Sequence, residues 1–218
     1  LALNKAITLI QEAIDNKELI FVYGDYDVDG ITSTTIMSGF IKQHNGTVDY
    51  YIPNRFTDGY GLSETIIEKL KKKPYKHLIT LDCGITNHKE ITQIKKEIGC
   101  NVLIFDHHKI PDTPPPADVI INPKSLNEDH PFWELCTAGI VYKFIEYYKN
   151  QKKLSIEITQ FLDLVALGTI ADIAAIKGEN RYLTQKGLTT LNYRKRLGLY
   201  YLLEESKFQK QYISTRDV

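Results

Sequence analysis

Short apolar runs recur along the chain at intervals that a helix would fill. They are LIFVY (19–23), VDYYI (48–52), HLITL (77–81), NVLIF (101–105) and DVIIN (118–122). Each is rich in β-branched and aromatic residues and bounded by polar or turn residues, as buried strands are. Between them the apolar positions return every three or four residues. This happens in ITSTTIMSGFIKQH (31–44), in SETIIEKLKKK (63–73) with Ser63 as N-cap, and in NHKEITQIKKEIG (87–99), opened by Asn87 and closed by Gly99. The first eighteen residues, LALNKAITLIQEAIDNKE, share the helical period. Strand and helix alternate. The pattern therefore predicts an α/β fold, a doubly wound and mainly parallel five-stranded sheet flanked by helices, with ligands beyond the carboxyl ends of the strands.

After PDTPPPADV (111–119), too rich in proline for regular structure, the pattern is helical, with segments at 138–149, 157–175, 180–192 and from about 199. A boundary falls near residue 195, at RKRLGL. With 218 residues and 43% hydrophobic side chains, the chain can bury a substantial core. Its 27 basic and 27 acidic side chains cancel, so any site for a polyanion has to be local. The lysine run 71–73 and KRL near 195 read as solvated helix faces, and Arg181 as a partner for either a carboxylate, in a structural pair, or a phosphate. No apolar run approaches the roughly 20 residues that span a bilayer, which predicts a cytosolic protein. Cys83, Cys100 and Cys136 are odd in number and show no Cys-x-x-Cys spacing, which predicts three reduced, buried thiols.

The densest chemistry follows the first apolar run, where GDYDVDG places Asp25, Asp27 and Asp29 at alternate positions. An extended segment would send them to one face, where they would repel unless a hard cation held them. An EF-hand loop counted from Asp25 needs Glu at its twelfth position and finds Ile36, and it needs an entering helix where the pattern gives a strand. An aspartate-nucleophile phosphatase wants Thr or Val two residues after its second aspartate, where Asp29 follows Asp27 and Ile31 follows Asp29. It also leaves the downstream clusters without a role. Those clusters are Asp82 in LDCGITN after the third run, Asp106, His107 and His108 in FDHHKIP after the fourth, and Asp172 in ALGTIADIAAI. Carboxylates mixed with imidazole suit Mn²⁺ or Mg²⁺, and two ions sharing one carboxylate at roughly 3.5–4 Å form a common hydrolytic arrangement. Two adjacent histidines on an extended segment point apart, so one can ligate while its neighbour faces a substrate.

GDYDVDGITS, DHH and GTIAD, in this order, resemble the DHH phosphoesterase superfamily. YIPNRFTDGYGLS, LDCGITN, LCTAGIVYKF and ALGTIADIAAIKGENRYLTQKGL resemble its RecJ branch, the single-strand-specific exonucleases, and together they cover nearly the whole chain. The resemblance implies hydrolysis of single-stranded DNA from 5′ to 3′ with two Mn²⁺ or Mg²⁺ ions, in repair and recombination, in the cytoplasm, with replication or repair proteins as partners. It implies that 1–195 form a DHH phosphoesterase domain and that 196–218 begin a connecting helix to a second lobe absent from this chain. Asp27 and Asp29 match the first motif's ligands, Asp82 the carboxylate bridging both ions, and His107 and Asp172 the remaining ligands. Related phosphoesterases and pyrophosphatases carry a histidine where Tyr23 stands, so Asp25 would supply that ligand from a shifted position. His108 would face the scissile phosphate, and Asp106 would hold an imidazole in one tautomer. The loop NRFTDGYGLS offers Arg55 to a phosphate and Tyr60 or Phe56 to a base. Two other readings stand beside this one: a small-substrate phosphoesterase acting on pyrophosphate, cyclic dinucleotides or oligonucleotides, and a non-catalytic replication-factor relative. The GYGLS loop argues against the first and the full ligand set against the second.

Overall fold

The computed structural model describes every residue of the chain except Tyr60. Its first half runs α1 (Ala2–Asp15), β1 (Leu19–Gly24), α2 (Val28–Gln43), β2 (Thr47–Tyr51), α3 (Glu64–Leu70), β3 (Tyr75–Leu81), α4 (His88–Glu97), β4 (Asn101–Phe105) and β5 (Val119–Ile121). Helices α5 (Thr137–Lys152), α6 (Leu162–Ala171), α7 (Gly178–Asn192) and α8 (Leu197–Glu205) follow. The five predicted runs are thus the five strands. They pair in the order β2-β1-β3-β4-β5, every pairing parallel. The strand order reverses between β1 and β3, which opens a crevice at their carboxyl ends.

Alternation along the strands splits the core in two. Ile20 and Val22 of β1, Ile79 and Leu81 of β3, and Leu103 and Phe105 of β4 enter the layer under α1, α2, α5, α6 and α7. Phe21, Tyr23, Leu78, Val102 and Ile104 enter the other, under α3 and α4. All three cysteines are free and buried. Among the described residues no helix is long and apolar enough to cross a membrane.

One helix is shorter than its hydrophobic period predicts. The segment 157–175 holds a 3-10 turn (Thr159–Phe161) and α6, which ends with Asp172 as its C-cap. Ile173 then takes a φ of 56° and is 90% exposed, and Ile176 is also exposed. The apolar period continues, but no neighbouring element buries it. Farther on, the Arg196 guanidinium grips Asp163 of α6 through two hydrogen bonds of 2.7 and 2.9 Å, anchoring the start of α8. The chain then returns to α7, where Asn192 and the backbone of Ile213 exchange hydrogen bonds of 3.0 and 2.8 Å.

The two helices that flank Asp172 meet with almost no space between them. A Cβ placed on Gly187 of α7 would lie 2.1 Å from the Leu162 carbonyl oxygen and 2.5 Å from the Ala166 Cβ of α6. Neither atom can move without the helix. Gly187→Ala should destabilise the protein by about 3 kcal/mol, which lowers Tm by roughly 6–12 °C at this chain length. An unchanged Tm in thermal denaturation would show that α6 and α7 part freely.

Candidate metal centre

The sheet's hydrogen-bond ladder continues one rung past the strand ends, and the rung is made by aspartates. The Asp25 N–H donates to the Leu81 carbonyl at 3.1 Å, Asp82 N–H to Phe105 at 3.0 Å, and Asp106 N–H to Ile121 at 3.2 Å. These bonds extend the registers Gly24↔Leu81, Leu81↔Phe105 and Phe105↔Ile121. Three aspartates thereby stand in a row along the carboxyl edge. Asp82 leaves β3 at a φ of 64°, in the left-handed region that aspartate tolerates better than most residues.

Asp27 and Asp29 are placed by α2, and here the expected extended segment gives way to a helix. Asp27 is the N-cap of α2, its Oδ1 accepting from the Gly30 N–H at 2.9 Å, and Asp29 lies in the first turn. A capping carboxylate satisfies an amide that would otherwise lack a partner, so the helix begins at Val28, three residues before the predicted start at Ile31. The fit at Gly30 is tight, since a Cβ there would approach the Asp25 carbonyl oxygen to 2.3 Å. Asp29 is buried against α5. Its Oδ2 accepts from the Thr137 N–H at 2.6 Å and its Oδ1 from the Ala138 N–H at 2.8 Å. Two helix N-termini therefore converge on these carboxylates, and both favour negative charge.

The potential ligands form three overlapping groups, one of them made by Asp82, His107 and His108. One oxygen each from Asp25, Asp27 and Asp82 lies within 4.8 Å of the others, and so do the ligand atoms of Asp29, His107 and Asp172. Asp82 belongs to two of the groups and meets the Asp29 group through His107, whose Nε2 is 3.2 Å from Asp82 Oδ1 and 3.7 Å from Asp172 Oδ2. The approach to Asp82 is close without the alignment of a hydrogen bond, and His107 Nε2 is buried with no hydrogen-bond partner. Asp25 Oδ1 is buried and unpartnered as well. Orphaned ligand atoms inside a ring of carboxylates fit a divalent cation, and the oxygen-rich set fits Mn²⁺ or Mg²⁺. Electrostatics agrees. Burial, followed by the charges of Asp29, Asp27 and Asp106, pushes the Asp82 carboxyl up to about 11. Burial also raises Asp25, Asp29 and Asp172.

His108 also pairs with Asp106. Fully buried Asp106 sits 2.7 Å from His108 Nδ1, accepts from the His108 backbone N–H at 3.0 Å, and accepts from the Ile85 N–H at 3.1 Å. The Asp106 hydrogen bond raises the His108 pKa above its usual value. The two imidazoles do not diverge as an extended segment would require. β4 ends at Phe105, the chain bends, and the rings lie 4.6 Å apart between centroids.

The loop after β2 is exposed at Arg55, whose guanidinium lies 5.2 Å from the Tyr26 ring centre, and at Phe56. Tyr60, a candidate for base stacking, lies outside the described residues. Three residues that a search for charged groups passes over complete the surroundings. Thr137 Oγ1 donates to Asp82 Oδ1 at 3.1 Å, the Tyr23 hydroxyl donates to the Gly61 carbonyl at 2.8 Å, and Asn87 bridges the backbone of Leu62. All three stand inside or beside quoted motifs, which is the signal that could have found them.

Residues 19–169 match the DHH family, N-terminal domain. The single-stranded-DNA-specific exonuclease RecJ of Bacillus subtilis is 36% identical over 204 residues, which is 94% of this chain and 25% of that protein. A crystal structure of exonuclease RecJ bound to manganese superposes with a TM-score of 0.84 at 33% identity, over 96% of this chain and 53% of that one. For RecJ from Thermus thermophilus in complex with Mn²⁺ the TM-score is 0.79 at 31% identity, over 94% of this chain and 29% of that one. The chain thus spans from a quarter to about half the length of these relatives. A family match that runs from β1 into α6, on a fold that lines up its aspartates and its DHH tripeptide at the strand ends, establishes that the chain belongs to the DHH family.

Proposed function

We propose that this chain carries the two-cation, phosphodiester-hydrolysing centre of an exonuclease acting on single-stranded DNA. The observation that carries this reading is the set of overlapping ligand groups that meet at Asp82 and His107. Its substrate class rests on similarity to the RecJ exonucleases.

In this reading Asp25, Asp27 and Asp82 would hold one Mn²⁺ or Mg²⁺ ion, and Asp82, Asp29, His107 and Asp172 would hold the other. When bound, such ions lower the pKa of a coordinated water and neutralise phosphoryl oxygens as attack proceeds. The protein's own groups do the remaining work. Thr137 and the α5 amides fix the ligand carboxylates Asp82 and Asp29. Asp106, sealed from solvent, directs its charge at His108 Nδ1, so the imidazole keeps a proton while its ring stays 44% exposed toward an incoming phosphate. Protonated His108 stabilises the developing negative charge or protonates the leaving oxygen. Arg55 supplies a phosphate contact and Tyr60 a base contact from the loop after β2, which Tyr23 and Asn87 tie down at Gly61 and Leu62. Residues 1–195 serve as the catalytic domain and 196–218 lead toward a second lobe. Degradation proceeds from 5′ to 3′ in repair and recombination in the cytoplasm, where replication or repair proteins are the partners.

The direct test is hydrolysis of a 5′-phosphorylated single strand with Mn²⁺, beside duplex DNA, pyrophosphate and a cyclic dinucleotide. The single strand should be degraded preferentially, and Asp82→Asn should lose at least one of two Mn²⁺ ions in calorimetry together with activity. Cleavage of the small substrates alone, or two ions bound normally by the variant, would overturn the reading.

The histidines separate ligand from acid. His107→Ala should weaken Mn²⁺ binding about 10- to 100-fold, whereas His108→Ala should leave it within twofold and cut kcat by about 100-fold or more. The reverse pattern would exchange their roles.

Proton linkage supplies an independent check. A carboxyl raised to about 11 keeps its proton at neutral pH until a cation displaces it, so binding releases protons and tightens as pH rises. Mn²⁺ affinity should increase at least tenfold between pH 6.5 and 8.5. A flat profile would mean that the carboxylates are already ionised.

A further inference from the structure

We propose that the open edge of β2 carries a binding track for the phosphate backbone of single-stranded nucleic acid, separate from the metal centre. The inference rests on the exonuclease reading and extends it to the strand leaving the site. A groove of about 380 Å³ along this edge is lined by Lys42, Lys69, Lys72 and Lys73, with Asp49 as its one acidic residue. Four positive charges against one negative leave +3 in one groove of a chain whose formal net charge is zero. Asp49 is already engaged, 2.7 Å from Lys73 Nζ and 2.6 Å from the Tyr75 hydroxyl.

The lysine run 71–73 is therefore more than a solvated helix face, because the fold divides it. Lys71 pairs with Glu68 and Glu97 and is not among the residues lining the groove, whereas Lys72 and Lys73 join Lys42 from a helix on the other side of the sheet. Among the described residues, Lys42, Lys69 and Lys72 form no ion pair, and aromatic rings lie beneath two of them. Lys69 Nζ is 3.9 Å from the Tyr51 ring centre and Lys42 Nζ 5.6 Å from that of Tyr50, which is 59% exposed. Cations that follow a backbone, interleaved with rings on which bases stack, are what an unpaired strand requires and what an acidic peptide does not.

The groove also starts in the right place. β2 runs parallel to β1 with Tyr51 opposite Tyr23, so its Tyr51 end lies on the same sheet edge as the metal ligands. The Tyr51 hydroxyl donates to Asp58 Oδ2 at 2.6 Å, and Asp58 belongs to the loop that carries Arg55. A strand passing from the metal centre across Arg55 would thus descend along the lysines.

The test is fluorescence anisotropy of labelled (dT)₂₀ with the 218-residue chain in EDTA across a salt series, comparing wild type with Lys42→Ala/Lys69→Ala/Lys72→Ala. Lys42 and Lys72 are exposed and Lys69 is half-buried over Tyr51, all three outside the hydrophobic core, and an unchanged Tm would verify that the triple variant folds. The triple variant should bind at least tenfold more weakly at low salt, and the magnitude of its log–log salt slope should fall by about 2, since each phosphate contact on a single strand contributes roughly 0.7. Lys69→Arg should bind like wild type. Unchanged affinity and slope in the triple variant, or tighter wild-type binding of a poly-glutamate peptide than of (dT)₂₀, would overturn the track. Hydrolysis of a dinucleotide, too short to reach the groove, should be the same in both proteins with Mn²⁺. If neither protein cleaves any nucleic acid while the triple variant still loses (dT)₂₀ binding, the exonuclease reading fails and the track stands.

Discussion

Like charges forced together are the constraint around which this molecule is organised. Asp25, Asp29, Asp82 and Asp106 are each at most 3% exposed, and Asp27 and Asp172 stand beside them. Nothing in an apolar core would tolerate such a group unaided, because burial and mutual repulsion both oppose ionisation. The fold answers with directed dipoles. Ladder amides fix the backbones of three aspartates, the first turn of α2 caps Asp27, and the first amides of α5 hold Asp29. Each device is a hydrogen bond from the protein's own backbone, formed without help from a bound ligand.

The same devices couple the site to the global packing. α5 enters the core through Val141, Phe144 and Ile145 while its N-terminus grips Asp29, and α6 buries Leu162 and Val165 while its C-cap is Asp172. Gly168 lies where these helices meet α2, so close that a Cβ would come within 2.8 Å of Asp29 Oδ1. Small residues there are a requirement of the carboxylate's position as well as of the helix contact. Small errors in helix packing would therefore reach the Asp29 carboxylate directly.

Much of this is readable in the order of residues, and the parts that are not share a cause. The strands are legible because apolar runs of five residues bounded by polar ones have few other uses, and the acidic strand ends follow from the parallel topology. The DHH family shows in the ordered motifs. What one-dimensional periodicity misses is where a segment leaves its period. Asp27 starts a helix by capping it, Asp172 ends one although apolar residues continue, and His107 and His108 leave the strand before alternation can separate them. The lysines of the β2 edge escape a linear reading for a related reason. Their partner Lys42 is separated from Lys69 in sequence by β2 and the whole of the following loop.

The backbone of Asp82 carries a consequence for lineages rather than for chemistry. A left-handed conformation costs a residue with a Cβ about 1–2 kcal/mol, and a buried carboxylate among carboxylates costs more; both sit at this one position. Glycine would relieve both, and asparagine would keep the backbone while shedding the charge. Selection for stability alone would drive the site to one of those two residues. Under the proposed two-cation reading, aspartate at the turn after β3 is therefore there for the charge it offers and not for the stability of the fold.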